Sequence, residues 1–150
     1  MMGFKVWFGG DAGYRHVRNG QDENTVPVCP AFQQVGENLG PFDLALMPIG
    51  AYDPRQEMNS WHVSPNDGLG IFQDVRARKA VGMHWGYVAS RSEGVRKKMT
   101  TTDITLRTWV LTSEPVIEPP SLLAHKAKKA RLADDAFTIC DLGETVIISA

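Results

Sequence analysis

Short apolar runs alternate with amphipathic segments along the chain. The runs at residues 4–8, 42–47 and 80–83 predict strands, and the nearly continuous apolar character of the second is typical of a strand covered on both faces. Two further runs, at residues 137–140 and 145–148, predict a terminal hairpin.

Three helices are predicted between these strands. Apolar residues at helical spacing predict the first over residues 32–39, which a Gly-Pro pair then ends. Ser64 as N-cap and Pro65 at the first helical position start the second, and Pro119 opens a third that extends to about residue 133. Residues 48–63 are expected to be irregular. Strands that alternate with helices indicate the α/β class.

Composition narrows the class of protein without naming a function. A chain of 150 residues is one domain or a piece of one, and a formal net charge of −1 gives no electrostatic argument for nucleic acid. No apolar stretch approaches the roughly 20 residues of a membrane span, and the N-terminus lacks the features of a signal peptide. It reads as a chain that starts inside a strand. Cys29 and Cys140 read as reduced, buried thiols of an intracellular protein, with a single bridge as the alternative.

Three polar residues follow the predicted strands and are candidates for chemistry. Asp11 follows the first strand among glycines, His62 lies in the segment after the second, and His84 ends the third. Ligands of layered α/β folds collect at the carboxyl ends of strands, and carboxylates and imidazoles are zinc ligands. The alternative is that Asp11 belongs to an ordinary turn and that both histidines are satisfied by the backbone. The residues alone therefore indicate an incomplete metal site.

Several longer phrases occur in an order that belongs to a known family. They are Phe8-Gly9-Gly10-Asp11-Ala12-Gly13-Tyr14, Cys29-Pro30-Ala31-Phe32, Gly40-Pro41-Phe42-Asp43-Leu44-Ala45, Pro48-Ile49-Gly50-Ala51-Tyr52-Asp53-Pro54-Arg55, Met58 with His62 and Pro65, His84-Trp85-Gly86 and Glu118-Pro119-Pro120. Together they resemble the N-acyl-phosphatidylethanolamine-hydrolysing phospholipase D family of the metallo-β-lactamase superfamily, particularly its fungal members.

The resemblance implies a fold and a set of site residues. The chain would be the C-terminal half of a metallo-β-lactamase αββα sandwich, whose complete domain holds two zinc ions. Asp11 matches the aspartate that bridges the metals, and His84 matches the last histidine ligand. His62 matches a catalytic histidine near the substrate phosphate, and Tyr52 and Arg55 fall in a phrase that the resemblance assigns to substrate binding.

The implied activity is zinc-dependent hydrolysis of a membrane phospholipid, which releases N-acylethanolamine and phosphatidic acid. The implied setting is intracellular, either cytoplasmic or peripheral on an organelle membrane such as the mitochondrial one, with a homodimer possible and no nucleic acid. The family's His-x-His-x-Asp-His motif is absent, so we expect the isolated chain to be an inactive fragment that binds zinc weakly. The alternatives are a non-catalytic binding module and another hydrolase of the same superfamily.

One segment departs from the family pattern. In the family, His-Trp-Gly continues directly into a Thr-aromatic pair, which appears here only at Thr108-Trp109, after residues 87–107. This polar, basic stretch has no consistent helical or strand period, and its possible codons fit a short fungal intron. We therefore predict that residues 87–107 are a non-native insert in a partial domain, with a solvated surface loop as the alternative.

Overall fold

A four-stranded parallel sheet organises the chain in the computed structural model, which describes residues 3–86, 112–141 and 143–148. The strands are β1 (Val6–Phe8), β2 (Phe42–Pro48), β3 (Ala77–Met83) and β4 (Phe137–Ile139), and they neighbour each other in chain order. Every pairing is parallel, so all four strands end at the same edge of the sheet. The predicted α/β class is confirmed, and the sheet with its helices is consistent with a metallo-β-lactamase fold.

Within the described ranges, four α-helices connect and cover these strands. They are α1 (Ala31–Asn38), α2 (Arg55–Met58), α3 (Pro65–Asp74) and α4 (Glu118–Lys129), and a short 3-10 turn spans Glu23–Thr25. Helix α3 packs against β2 and β3 and contacts both α1 and α4. Met47, Ile71 and Val75 at this contact are fully buried. The main core therefore lies between α3 and one face of the sheet.

Helix α3 begins as its sequence predicts. The Ser64 hydroxyl accepts the N–H of Asp67 at 3.3 Å, and Pro65 occupies the first turn, where its missing N–H costs no hydrogen bond. The predicted apolar stripe of Leu69, Phe72 and Val75 is buried. The N-cap and the apolar period of the sequence therefore both agree with the structure of α3. The start of this helix in turn fixes the end of the loop that precedes it.

The two faces of the sheet differ in how they are covered. On one face Ala45 and Met47 of β2 are fully buried, whereas Leu44 and Leu46 on the other face are only half-buried. Val6 and Phe8 of β1 pair with these two leucines and are 50% and 66% exposed. The prediction that β2 is covered on both faces is therefore wrong for the second face among the residues described.

The predicted C-terminal hairpin is wrong. Residues 137–139 form β4, which pairs in parallel with β3, and residues 145–148 form no strand. The Ala80 amide donates to the Ala136 carbonyl at 2.7 Å, and the Phe137 ring packs 5.4 Å from Phe72. The open edge of β3 and the core contact of Phe137 outcompete local pairing across the turn.

Helix boundaries differ from prediction at two places. The segment 48–63 contains helix α2, whose Met58 is buried, so it is not wholly irregular. Helix α4 ends at Lys129 and not near residue 133, because Arg131 takes a left-handed conformation with φ +57°. A left-handed residue directly after a helix stops its hydrogen-bond ladder.

Three further expectations concern the cysteines, the predicted insert and a membrane span. Cys29 and Cys140 are free thiols, so no bridge joins them. Both residues are half-buried, whereas buried thiols were predicted. The predicted insert at 87–107 lies outside the described residues. No helix in the described ranges is both long enough and apolar enough to cross a membrane.

Candidate metal centre

The three candidate side chains meet at the carboxyl edge of the sheet. Asp11 follows β1 through Gly10, whose φ of +56° turns the chain sharply. His84 is the residue directly after β3, and His62 lies between α2 and α3. Because the strands are parallel, their ends converge, and residues distant in sequence reach one place.

The donor atoms of these residues are close enough to share one ion. His84 Nε2 lies 2.7 Å from Asp11 Oδ1, and the rings of His62 and His84 have centroids 5.1 Å apart. One donor atom from each residue lies within 4.8 Å of the others. The Asp11 side chain is 67% exposed and that of His84 is 20% exposed, so the cluster opens to solvent on the Asp11 side.

Burial governs the electrostatics of His62. Desolvation lowers the pKa of its imidazole, and the nearby His84 lowers this pKa further, while Asp11 opposes the shift. Its Nδ1 is buried and has no hydrogen-bond partner in the part of the chain that is described. A neutral imidazole with an unused ring nitrogen is suited to accept a proton or to bind a metal ion.

The donor set fits zinc. Zinc–ligand bonds of about 2.0–2.2 Å place tetrahedral donors roughly 3.3–3.6 Å apart. The spacings here, from 2.7 Å between Asp11 and His84 to at most 4.8 Å, lie on either side of that range. Two imidazoles and a carboxylate are also the ligand types of many catalytic zinc sites, which keep a fourth position open.

Close backbone contact holds the Asp11 loop to the His62 turn. A Cβ on Gly13 would lie 2.5 Å from the Ser60 carbonyl oxygen, so only glycine allows this approach. The side-chain amide of the buried Asn59 donates to the Val17 carbonyl at 2.7 Å. The two loops that carry Asp11 and His62 therefore pack tightly against each other.

The other two predicted site residues have protein partners. The Tyr52 hydroxyl donates to Glu118 at 2.6 Å, and burial together with this bond raises its pKa. Arg55 pairs with the fully buried Asp67 and lies 3.7 Å from Glu23. The structure thus brings Asp11, His62 and His84 together, and it engages Tyr52 and Arg55 elsewhere.

Sequence reasoning missed Glu114, a buried acid beside the site. Its carboxylate accepts the backbone N–H groups of Ala51 and Asp53, and it acts electrostatically on His62. A glutamate that follows Thr112 and Ser113 and precedes a proline reads as a surface loop, so the sequence carries no signal for this burial.

Comparison with known proteins adds a family to this geometry. A family model described as "Beta-lactamase superfamily domain" matches residues 2–85. An N-acyl-phosphatidylethanolamine-hydrolyzing phospholipase D 1 from Caenorhabditis elegans is 42% identical over 82 residues, which are 55% of this chain and 19% of the relative. The mitochondrial phospholipase of the same name from Saccharomyces cerevisiae is 29% identical over 119 residues, which are 79% of this chain and 21% of the relative.

A third relative is bacterial. The outer membrane protein RomA from Klebsiella pneumoniae is 32% identical over 82 residues, which are 55% of this chain and 50% of that protein. The chain thus spans about a fifth of the length of the two phospholipases and half of RomA. The resemblance to N-acyl-phosphatidylethanolamine-hydrolysing phospholipases is confirmed, and the matched model covers more than half of the chain, so this chain belongs to the beta-lactamase superfamily.

Proposed function

We propose that this chain forms part of a metal-dependent phosphodiesterase that hydrolyses N-acyl-phosphatidylethanolamine to N-acylethanolamine and phosphatidic acid. The observation that carries the proposal is the convergence of Asp11, His62 and His84 within 4.8 Å at one edge of the sheet. The names of the nematode and yeast relatives support this substrate. The substrate would be presented by a membrane, and the yeast relative's name supports a mitochondrial setting.

Each residue of the cluster has a proposed role. Asp11 and His84 are metal ligands, and zinc bound between them would supply Lewis-acid polarisation of the phosphodiester and activation of water. His62 is the catalytic imidazole near the phosphate. Its pKa is lowered by burial, so it is neutral at physiological pH and is able to take a proton.

The position of His62 also favours a second role. Its donor atom lies within reach of the same ion as the other two donors, so in the isolated chain it is able to serve as the third ligand. Zinc affinity separates the two roles. A His62→Ala variant that binds zinc as tightly as the wild type has lost a catalytic group only, whereas weakened binding identifies a ligand.

Tyr52 and Arg55 remain proposed substrate contacts. To bind a phospholipid headgroup they would exchange their present partners, Glu118 and Asp67. Because neither residue is a proposed metal ligand, Tyr52→Phe in a full-length relative that carries this segment is expected to raise KM while zinc affinity stays unchanged.

We also propose that the 150-residue chain alone is inactive. The three donors present suffice for one weakly held ion, and a two-metal site needs more ligands than the described residues supply at this edge. Turnover by the purified chain that a chelator abolishes and zinc restores would contradict this part of the proposal.

The experiment that tests the function is a graft into a full-length relative. Residues 2–85 of this chain, which the superfamily model matches, replace their counterpart in the C. elegans phospholipase, and hydrolysis of N-acyl-phosphatidylethanolamine vesicles is measured. The graft is expected to be active, and Asp11→Ala or His84→Ala within it should lower kcat/KM by more than about 100-fold, which is the upper range for losing an outer-shell partner. Asp22→Asn, which alters an exposed carboxylate, is the matched control. A folded, zinc-loaded graft without activity would overturn the proposal.

A further inference from the structure

Glu114 makes an unusual pair of contacts with a distant part of the chain. Its Oε1 accepts the Ala51 N–H at 2.5 Å and its Oε2 accepts the Asp53 N–H at 3.2 Å. The residue is only 7% exposed. A buried carboxylate is costly unless it is hydrogen-bonded, and bonds from backbone N–H groups to a charged oxygen are among the stronger ones.

The loop that Glu114 holds has a conformation that needs support. Ala51 has φ +63°, in the left-handed region that residues other than glycine seldom occupy. A second contact joins the same segments, because the Ser113 N–H donates to the Asp53 carbonyl at 2.9 Å. Residues 113–114 thus clamp the backbone of residues 51–53 from one side.

The same loop, from Gly50 onward, contacts the backbone of His84. Gly50 approaches the backbone of His84 and Trp85 so closely that a Cβ at position 50 would lie 2.8 Å from the Trp85 Cα and would overlap the His84 carbonyl oxygen. The Ile49 N–H donates to the Met83 carbonyl at 3.0 Å. His84 itself has φ +58°, so its backbone is held in a strained conformation at this contact.

We infer that Glu114 is a positioning residue of the metal centre, which fixes the direction of the His84 imidazole through the loop of residues 50–53. Glu114 is not itself one of the donor residues, so its effect on the His84 imidazole is indirect. The inference rests on the proposed function only in taking His84 as a metal ligand. This inference gives the segment that begins at residue 112 a role at the site.

Both oxygens of the carboxylate are needed for this role. Glutamine has almost the same shape, but one of its two terminal groups is an NH₂ donor, which would face a backbone N–H. Glu114→Gln therefore loses one hydrogen bond and the negative charge without removing volume. Glu114→Asp keeps the charge, but it is one methylene shorter and reaches one of the two amides at best.

The test compares zinc affinity among variants of the whole chain by chelator competition at fixed pH. Glu114→Gln is expected to bind zinc about 10–100-fold more weakly than the wild type, the range for losing a group that orients a metal ligand. Glu114→Asp should show a smaller loss and serves where the glutamine variant fails to fold. Glu144→Gln is the matched control, because Glu144 also accepts a backbone N–H, that of Asp141 at 2.7 Å, but on the exposed surface. Its zinc affinity should not change.

A second readout needs no metal. The ¹⁵N shifts of the His84 imidazole are compared between the zinc-free wild type, Glu114→Gln and Glu114→Asp, and they should move in both Glu114 variants and not in Glu144→Gln. Variants that are less stable but keep the wild-type zinc affinity and His84 shifts would show a purely structural role and overturn the inference. If the wild type binds no zinc, the proposed metal site fails, and the His84 shifts alone decide the inference.

Discussion

Gly13 shows how one residue without a side chain shapes the site. The loop that carries Asp11 lies directly on the backbone of Asn59 and Ser60, two residues before His62. Any side chain at position 13 would push these segments apart. The distance between the proposed ligand Asp11 and the proposed catalytic imidazole of His62 therefore depends on Gly13, which touches neither side chain.

We expect Gly13→Ala to damage both stability and metal binding. The new Cβ would meet Ser60 O at 2.5 Å and Asn59 O at 3.0 Å, so the backbone must shift, which costs about 1–3 kcal/mol of unfolding free energy. Zinc affinity should fall as Asp11 moves away. Chemical denaturation and zinc titration measure the two effects.

Gly3→Ala is the control for this substitution, since a Cβ there would meet nothing within 4 Å. A Gly13→Ala chain as stable as the Gly3→Ala chain, with unchanged zinc affinity, would show that the close approach has no such role.

The positions of strand ends predicted that Asp11 and His84 meet, because each closely follows a strand and parallel strands end at the same edge of the sheet. His62 lies between α2 and α3, so its place beside them depends on how that segment folds back. The burial of Glu114 could not be predicted, because it depends on where the residues from 112 onward lie in the fold. The partners of Arg55 could not be predicted for a similar reason, since Asp67 in the first turn of α3 looks in sequence like an ordinary exposed first-turn acid.

Among the secondary-structure elements, one buried ion network ties two other segments to the start of α3. The fully buried Asp67 carboxylate lies 2.7 Å from Arg15 Nε and pairs on its other oxygen with Arg55. Arg15 comes from the loop after β1, and Arg55 is the first residue of α2. The acid also lies in the first turn of α3, where the helix dipole favours a negative charge.

Loss of this carboxylate should be severe. Asp67→Asn leaves two guanidinium groups poorly compensated at side-chain exposures of 10% and 22%, so we expect a loss of about 3–5 kcal/mol in unfolding free energy. Asp135→Asn breaks only the surface pair with Lys79, where the aspartate is 70% exposed, and should cost less than about 1 kcal/mol.

Urea denaturation of both variants measures the difference. Equal effects of the two substitutions would contradict a central role for the Asp67 network in joining these segments.

Element prediction succeeded where local signals were strong and failed where tertiary pairing decided. The Ser64 cap and its apolar stripe defined α3 correctly, because capping and periodicity act within a few residues. The hairpin at residues 137–148 was wrong, because the choice between a local partner and the edge of β3 is not encoded in the hairpin's own sequence. Tertiary packing of Phe137 on Phe72 made that choice.

In the molecule as a whole, one face of the sheet is covered and the other is more exposed among the residues that the structure describes. Phe4, Val6 and Phe8 alternate along an extended segment and are 47%, 50% and 66% exposed, while Trp7 between them packs on Phe32. Exposed apolar faces of this kind promote association. We therefore propose that two copies of the chain associate through this face.

We expect the purified chain to associate in solution. Replacing Phe4 and Phe8 by serine removes the two largest exposed side chains of this face and should shift the chain toward monomer in analytical ultracentrifugation. Trp61→Ser, at a residue that is 69% exposed elsewhere, is the control and should leave association unchanged. A wild-type chain that is monomeric at all concentrations and melts cooperatively would show that the open face needs no partner.

Zinc K-edge X-ray absorption of the zinc-loaded chain shows whether Asp11, His62 and His84 form a metal centre. If they do, the spectrum contains only nitrogen and oxygen ligands at about 2.0–2.2 Å with imidazole scattering. The imidazole scattering should weaken in His84→Ala and persist in His125→Ala, whose histidine is exposed on α4. Sulfur ligands at about 2.3 Å, which would come from the free cysteines, or a His84→Ala spectrum identical to the wild type, would rule out this metal centre.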